Sequence, residues 1–133
     1  MTNSDYEMMV YEMMADERED FIDNLVEDIE RYPNDIRNIV QKLMIAAADL
    51  NWYDHYYVSR TVLEDVIDKC IENGAIDVNK LYNNGNTLIH ILLNLKRNIN
   101  NYNKKIDIEK IIVCLMTRGV RIGMKDNHGI TIY

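Results

Sequence analysis

The sequence predicts an all-α fold: a short helical solenoid of about two repeated units and an unfinished third, with a helical cap at its N-terminal side. Three observations predict it. First, Gly74-Ala75-Ile76-Asp77-Val78-Asn79 precedes Tyr82-Asn83-Asn84-Gly85-Asn86-Thr87-Leu88-Ile89-His90, and the same order of signals returns in Gly119-Val120-Arg121-Ile122 and Lys125-Asp126-Asn127-His128-Gly129-Ile130-Thr131-Ile132. Second, the spacing is nearly constant, 45 residues from Gly74 to Gly119 and 44 from Gly85 to Gly129. A fixed period marks units that stack because none can bury its apolar face alone. Third, apolar residues between the glycines recur at helical spacing.

The elements follow in order. Ser4 and Glu7 fit a capping box, and Tyr6, Met9, Val10, Met13 and Met14 recur at helical intervals. Asp16-Glu17-Arg18-Glu19 reads as a second start before Phe21, Ile22, Leu25, Val26 and Ile29, so residues 5–31 form one interrupted helix or two short ones. Pro33 ends the segment by biasing Tyr32 away from helix. Asn34 can cap the next helix, where Ile36, Ile39, Val40, Leu43, Met44 and Ala47 keep one face apolar. Ala46-Ala47-Ala48 leaves a slim stretch that a neighbour could approach closely, and residues 51–59 read as an aromatic connector. Thr61 and Glu64 form another capping box, Val62 to Ile71 line a face, and Gly74 stands where a left-handed residue stops a helix. Thr87 to Leu95 reads as a short apolar helix, and the Asn-rich, basic stretch 96–106 as a surface loop. Asp107 then caps a helix carrying Ile108, Ile111, Ile112, Leu115 and Met116, which Gly119 ends.

Length and composition bound the function. One domain is expected at 133 residues, and 47% apolar content is ordinary for a soluble fold. No apolar run approaches the roughly 20 residues of a membrane span. An acidic N-terminus without a basic segment and apolar core predicts no secretory signal, and hence a cytoplasmic protein. Cys70 and Cys114 fall on apolar helical positions and read as reduced core thiols; with His55, His90 and His128 scattered, no metal set forms. The net charge of −7 is divided, −9 over residues 1–40 and +2 over 41–133. The acidic total and the lack of a motif speak against nucleic acid. Most of this charge reads as solvated surface, although the asymmetry could steer a charged partner.

The repeated signals resemble ankyrin repeats, whose pattern is roughly G-x-T-P-L-H-x-A-A followed by V-x-x-L-L-x-x-G-A-x-x-N. Gly85-Asn86-Thr87-Leu88-Ile89-His90 matches the opening, with Leu88 in the usual proline position. Ile112 to Gly119 matches the close, as do Ile67, Cys70, Ile71, Gly74, Ala75, Val78 and Asn79 for the preceding unit. The resemblance covers 35–133, in units 35–79, 80–122 and an incomplete 123–133, behind an acidic helical region 1–34. The units exceed the usual roughly 33 residues. Insertions at 51–59 and 96–106 supply the excess, and with the Asn-, Ile-, Tyr- and Lys-rich composition they resemble the ankyrin proteins of large DNA viruses, poxviruses in particular.

The resemblance implies a non-enzymatic protein-interaction module. In that family the turn tips and the first helix of each pair grip a protein partner. This places the interaction residues at Tyr82, Asn83 and Asn84, and at Lys125, Asp126, Asn127 and His128. It makes Thr87 and His90 a structural pair tying turn to helix, with Gly74, Gly85, Gly119 and Gly129 in turn conformations. A viral member implies a host signalling or antiviral protein as partner, in the host cytoplasm and also the nucleus. No nucleophile elbow, phosphate loop or zinc motif is present, so neither catalysis, cofactor nor small-molecule substrate is expected. Three alternatives stay open: a self-associating helical protein, with a homodimer through the Met-rich first helix or the unfinished end; a remnant of a longer ankyrin protein, which would unfold at low denaturant; and an all-helical adaptor whose repeat resemblance is accidental.

Overall fold

A computed structural model describes residues 3–49, 61–82 and 85–119. These residues form five α-helices: α1 (Asn3–Arg31), α2 (Ile36–Ala48), α3 (Val62–Glu72), α4 (Leu88–Asn98) and α5 (Tyr102–Met116). Among the described residues there is no strand, and the fold is all-α. No helix there is long and apolar enough to cross a membrane. The aromatic connector 51–59 lies outside the described residues.

Three boundaries differ from the sequence reading, each for a local reason. Residues 5–31 are not interrupted: α1 is a single helix of 29 residues. The Asp16-Glu17 start signal is overridden because no glycine or proline breaks the segment and the backbone loses nothing by continuing. The expected loop 96–106 shrinks to residues 99–101, because α4 runs on to Asn98 and α5 begins at Tyr102. The cap there is Asn101, whose side chain accepts the Lys104 N–H at 3.1 Å, and not Asp107. Lys104 and Lys105 are good helix formers, so polar composition did not mean loop. Finally, Asp35 rather than Asn34 caps α2, accepting from the Asn38 N–H at 3.1 Å. Asn34 instead takes the Lys80 ammonium.

A continuous core joins all five helices. Ile22, Leu25, Val26 and Ile29 of α1 meet Ile39, Leu43, Ala46 and Ala47 of α2 and Val62, Leu63, Val66, Ile67 and Cys70 of α3. Leu88, Ile89 and Leu92 of α4, and Ile108, Ile111, Ile112, Cys114 and Leu115 of α5, complete it. The acidic region 1–34 therefore shares its core with the helices that follow. In the packing, α1 lies on α2 and α3, α2 on α3 and α5, α3 on α5, and α4 on α5. Stacking two equivalent pairs by translation would bring α2 beside α4. Here the principal partner of α2 in the second pair is α5.

Cross-helix ion pairs frame this core. Arg18 of α1 meets Asp65 of α3 at 2.6 Å, largely shielded from solvent. Lys69 of α3 reaches both Glu19 and, at 3.0 Å, Asp23. At the other side of α3, the Arg118 guanidinium donates to both carboxylate oxygens of Asp68, at 2.5 and 3.2 Å. Sequence reasoning missed all of these, because the partners lie far apart in the chain and only packing brings them together.

Helix ends follow their sequence signals more closely. Gly74 and Gly119 have φ of +80° and +92°, the left-handed region that glycine reaches without strain. The Gly74 N–H donates to the Ile71 carbonyl at 3.2 Å and the Ile76 N–H to that of Cys70 at 3.0 Å, so the end of α3 is satisfied. A Cβ added at Gly74 would meet nothing within 4 Å. The expected cost of Gly74→Ala is therefore backbone strain alone, about 1–2 kcal/mol. Gly74→Asn should cost less, since asparagine tolerates this conformation. Urea denaturation of the two variants checks the order; equal losses would show that space, not φ, sets the residue.

Candidate interaction surface

The segment between α3 and α4 builds the turn that the sequence singles out. After Gly74, Ala75, Ile76 and Val78 turn inward and are buried. Asp77 accepts the Asn79 N–H at 2.9 Å on its side chain and the Lys80 N–H at 3.2 Å on its carbonyl. Asn79 in turn donates its side-chain amide to the Gly119 carbonyl at 3.3 Å. That bond links the turn after α3 to the turn after α5, so the two Gly-stopped helix ends sit side by side.

Next, the Tyr82 N–H donates to the Asn86 carbonyl at 2.9 Å and the Gly85 N–H to the Tyr82 carbonyl at 2.8 Å. Gly85 has φ of +77° within this tight turn. The geometry corrects one residue. Tyr82, expected at the exposed tip, is only 8% exposed, while its neighbour Leu81 is 55% exposed. The bonds to Asn86 and Gly85 hold the backbone so that position 82 faces the core and position 81 faces out. The Lys80 ammonium lies 5.1 Å from the centre of the Tyr82 ring, covering it with a cation. Burial, and secondarily Asp77, push the Tyr82 phenol above its ordinary pKa. Its hydroxyl has no hydrogen-bond partner among the described residues. The other expected contact residues, Asn83, Asn84, Lys125, Asp126, Asn127 and His128, lie outside the described residues, as does Gly129.

Thr87 and His90 then open α4. The Thr87 hydroxyl oxygen accepts the His90 N–H at 3.3 Å, and the Thr87 N–H donates to His90 Nδ1 at 3.4 Å. The hydroxyl itself lies 2.8 Å from Nδ1. With Nδ1 accepting, the ring proton sits on Nε2. Nε2 is buried and has no hydrogen-bond partner among the described residues. His90 is 3% exposed and Thr87 fully buried, so the ring works as the reciprocal half of a capping box. The Thr61–Glu64 box at the start of α3 has the same logic but stands in solvent.

A groove of about 790 Å³ opens between the C-terminal end of α2, the N-terminal end of α3 and one face of α5. Ala46, Ala47, Leu63, Val113 and Cys114 form its apolar wall, and charged side chains form its rim. Among the described residues, the small Ala46 and Ala47 leave this space unfilled, at the slim stretch noted in the sequence. Arg118 at the rim is fixed by Asp68 and by donation to the Cys114 carbonyl at 2.8 Å. Its hydrogen bonds with Asp68 strengthen its hold on the proton.

Cys70 and Cys114 form no disulfide. Burial, with a smaller effect of Glu30, pushes the Cys70 thiol up to about 12 from 9.0. A thiol held protonated and enclosed reacts slowly. In native protein at pH 8, Cys70 is expected to resist iodoacetamide and to label only on unfolding, which peptide mapping checks. The same shift has a stability consequence. The folded state holds this proton more tightly than the unfolded chain, as it does for Tyr82 and for Lys69, raised chiefly by its hydrogen bond with Glu19. Their contributions are present in full below the unfolded pKa values and vanish as pH rises through the folded ones. Thermal midpoints should fall from about pH 9 upward; a flat profile to pH 11 would contradict these shifts.

Among the described residues no group of three or more His, Cys, Asp or Glu could hold a metal ion. No family model, curated protein or solved structure matches the chain.

Proposed function

We propose that this chain is a non-enzymatic protein-interaction module built of ankyrin-like helix–turn units. The observation that supports it is the junction of α3 and α4: a Gly-stopped helix, a tight turn closed between Tyr82 and Asn86, and the buried Thr87–His90 capping box. These polar groups are occupied in holding the turn, which leaves its outward residues free to vary with a partner. The packing of α2 on α5 departs from a translational stack, so the resemblance rests on the turn and its cap rather than on the arrangement of all four helices.

The proposed contact surface takes Leu81 in place of the buried Tyr82, together with Asn83, Asn84, Lys125, Asp126, Asn127 and His128. Leu81 supplies an exposed apolar side chain, 55% exposed, whose burial against a partner would be favourable. The resemblance to ankyrin proteins of large DNA viruses suggests a host signalling or antiviral protein as the partner, reached in the host cytoplasm or nucleus.

The test is quantitative affinity capture from host-cell lysate, comparing wild type with a Leu81→Ser, Asn84→Ala, Lys125→Ala, His128→Ala variant of verified folding. A partner lost only from the variant supports both the module and its face. A partner retained by the folded variant overturns the site assignment.

A further inference from the structure

We propose that this protein associates head to tail with further copies of itself, the outer half of α1 in one copy docking on the corner between α4 and α5 of the next. The inference does not depend on the turn-tip reading, since it uses residues of α1, α4 and α5 outside that turn.

The first surface is the outer half of α1. At 1.5 Å per residue, the 29 residues of α1 extend about 43 Å. Every described tie from α1 to the rest of the fold begins at Arg18 or later: the Arg18–Asp65 pair, Lys69 with Glu19 and Asp23, and the Asn38 amide on the Asp28 carbonyl. Among the described residues, its buried apolar side chains begin at Ile22. Before Arg18, each side chain described (Met9, Met13, Ala15, Asp16 and Glu17) is exposed. Met9 and Met13 lie four residues apart and share a face, with Met13 57% exposed. A helical stretch of this length is marginal in water by itself, so it gains from a surface to lie on.

Charge selects that surface. Asn3 through Glu17 hold five carboxylates and no cation. Two such halves laid together would repel, which disfavours a symmetric pairing of α1 with α1. Asp16, Glu17 and Asp20 are exposed and have no ion pair among the described residues.

The complementary surface is on the same chain. Where α4 turns into α5, Lys96 is paired with Glu109 at 2.6 Å and Lys110 lies 3.7 Å from Asp107. Arg97, Lys104 and Lys105 have no such partner among the described residues. Tyr102 stands among them at 74% exposure, the most exposed of the large apolar side chains described. This corner therefore offers surplus cations around an aromatic ring, opposite in charge to the Met-bearing half of α1. Within one copy α1 packs on α2 and α3, and α4 packs on α5, so the two surfaces belong to helices that do not pack on each other. Between copies they make a heterologous contact that propagates into short chains or closes into a ring. Opposed patches outweigh the repulsion of the net −7 charge only at close range and in this orientation, so salt weakens the contact.

Sedimentation equilibrium across protein concentration tests this in roughly 0.01 M and roughly 1 M salt, where the Debye length is about 30 Å and about 3 Å. The expected weight-average mass at low salt reaches at least twice the 15.7 kDa of one chain, and returns to one chain at high salt. An Asp16→Lys, Glu17→Lys, Asp20→Lys variant and a Lys104→Glu, Lys105→Glu variant should each remain at one chain at low salt, with helical circular dichroism unchanged. Mixed together, they should associate again, because the unchanged corner of the first fits the unchanged α1 of the second and the two reversed surfaces fit each other. A wild type at one chain throughout the low-salt range overturns the proposal, and so does either variant associating alone. A folded mixture that stays at one chain overturns it as well. Should either charge variant fail to fold, wild type against Met13→Ser decides: association unchanged by Met13→Ser would remove α1 from the contact.

Discussion

Replacing Thr87 by valine is expected to cost about 3 kcal/mol of stability, far more than the shape change would suggest. The loss of an N-cap contributes about 1 kcal/mol. The Thr87 hydroxyl is also the close partner of His90 Nδ1 in the interior, leaving only the long bond from the Thr87 N–H when it is removed, and weakening a buried polar group's bonding costs about 1–3 kcal/mol. The comparison that decides the matter is Thr61→Val. Thr61 carries the same box with Glu64, but in solvent, where water replaces the lost bonds. Its expected cost is only the cap, about 1 kcal/mol. Guanidinium denaturation of both variants gives the difference. Equal losses would mean that burial of the α4 box adds nothing, and that the turn is held by its backbone bonds alone.

The other large effect belongs to Leu43. It is fully buried on α2, the helix that packs against α1, α3 and α5 together. Leu43→Ala removes apolar contact and leaves a cavity that three neighbours must close, at a cost of about 2–5 kcal/mol. That is a large share of the roughly 5–15 kcal/mol that stabilises a domain of ordinary size. Val113 offers the contrast, since it lies on α5 at the groove and is exposed. Val113→Ala should change stability by no more than about 0.5 kcal/mol. A small effect at Leu43 would show that α1 and α3 repack without α2, and would undo the description of α2 as the central helix.

The candidate surface was partly legible in the sequence. Gly74, Gly85 and Gly119 were assigned to turns because glycine alone is at ease at positive φ, and their φ values lie there. Thr87 and His90 were paired by their three-residue spacing, which is a local property of a helix start. The exposure of Leu81 and burial of Tyr82 were not legible. Neighbouring residues on a turn face opposite ways, and which one faces inward is set by the bonds to Asn86 and Gly85. The composition of 96–106 misled for a related reason, since its asparagines mark a boundary only at Asn101 and its lysines serve a helix as readily as a loop.

By itself, then, the sequence determined that the described chain is helical, where most of its helices stop and which faces are apolar, because spacing and capping act over a few residues. It also carried the split in charge between the first 40 residues and the rest. Only the tertiary structure decided that α2 lies on α5, that Arg18 meets Asp65 and that Arg118 meets Asp68. Those contacts join residues far apart in the chain, and a helical pattern says which face is buried without naming the helix that buries it.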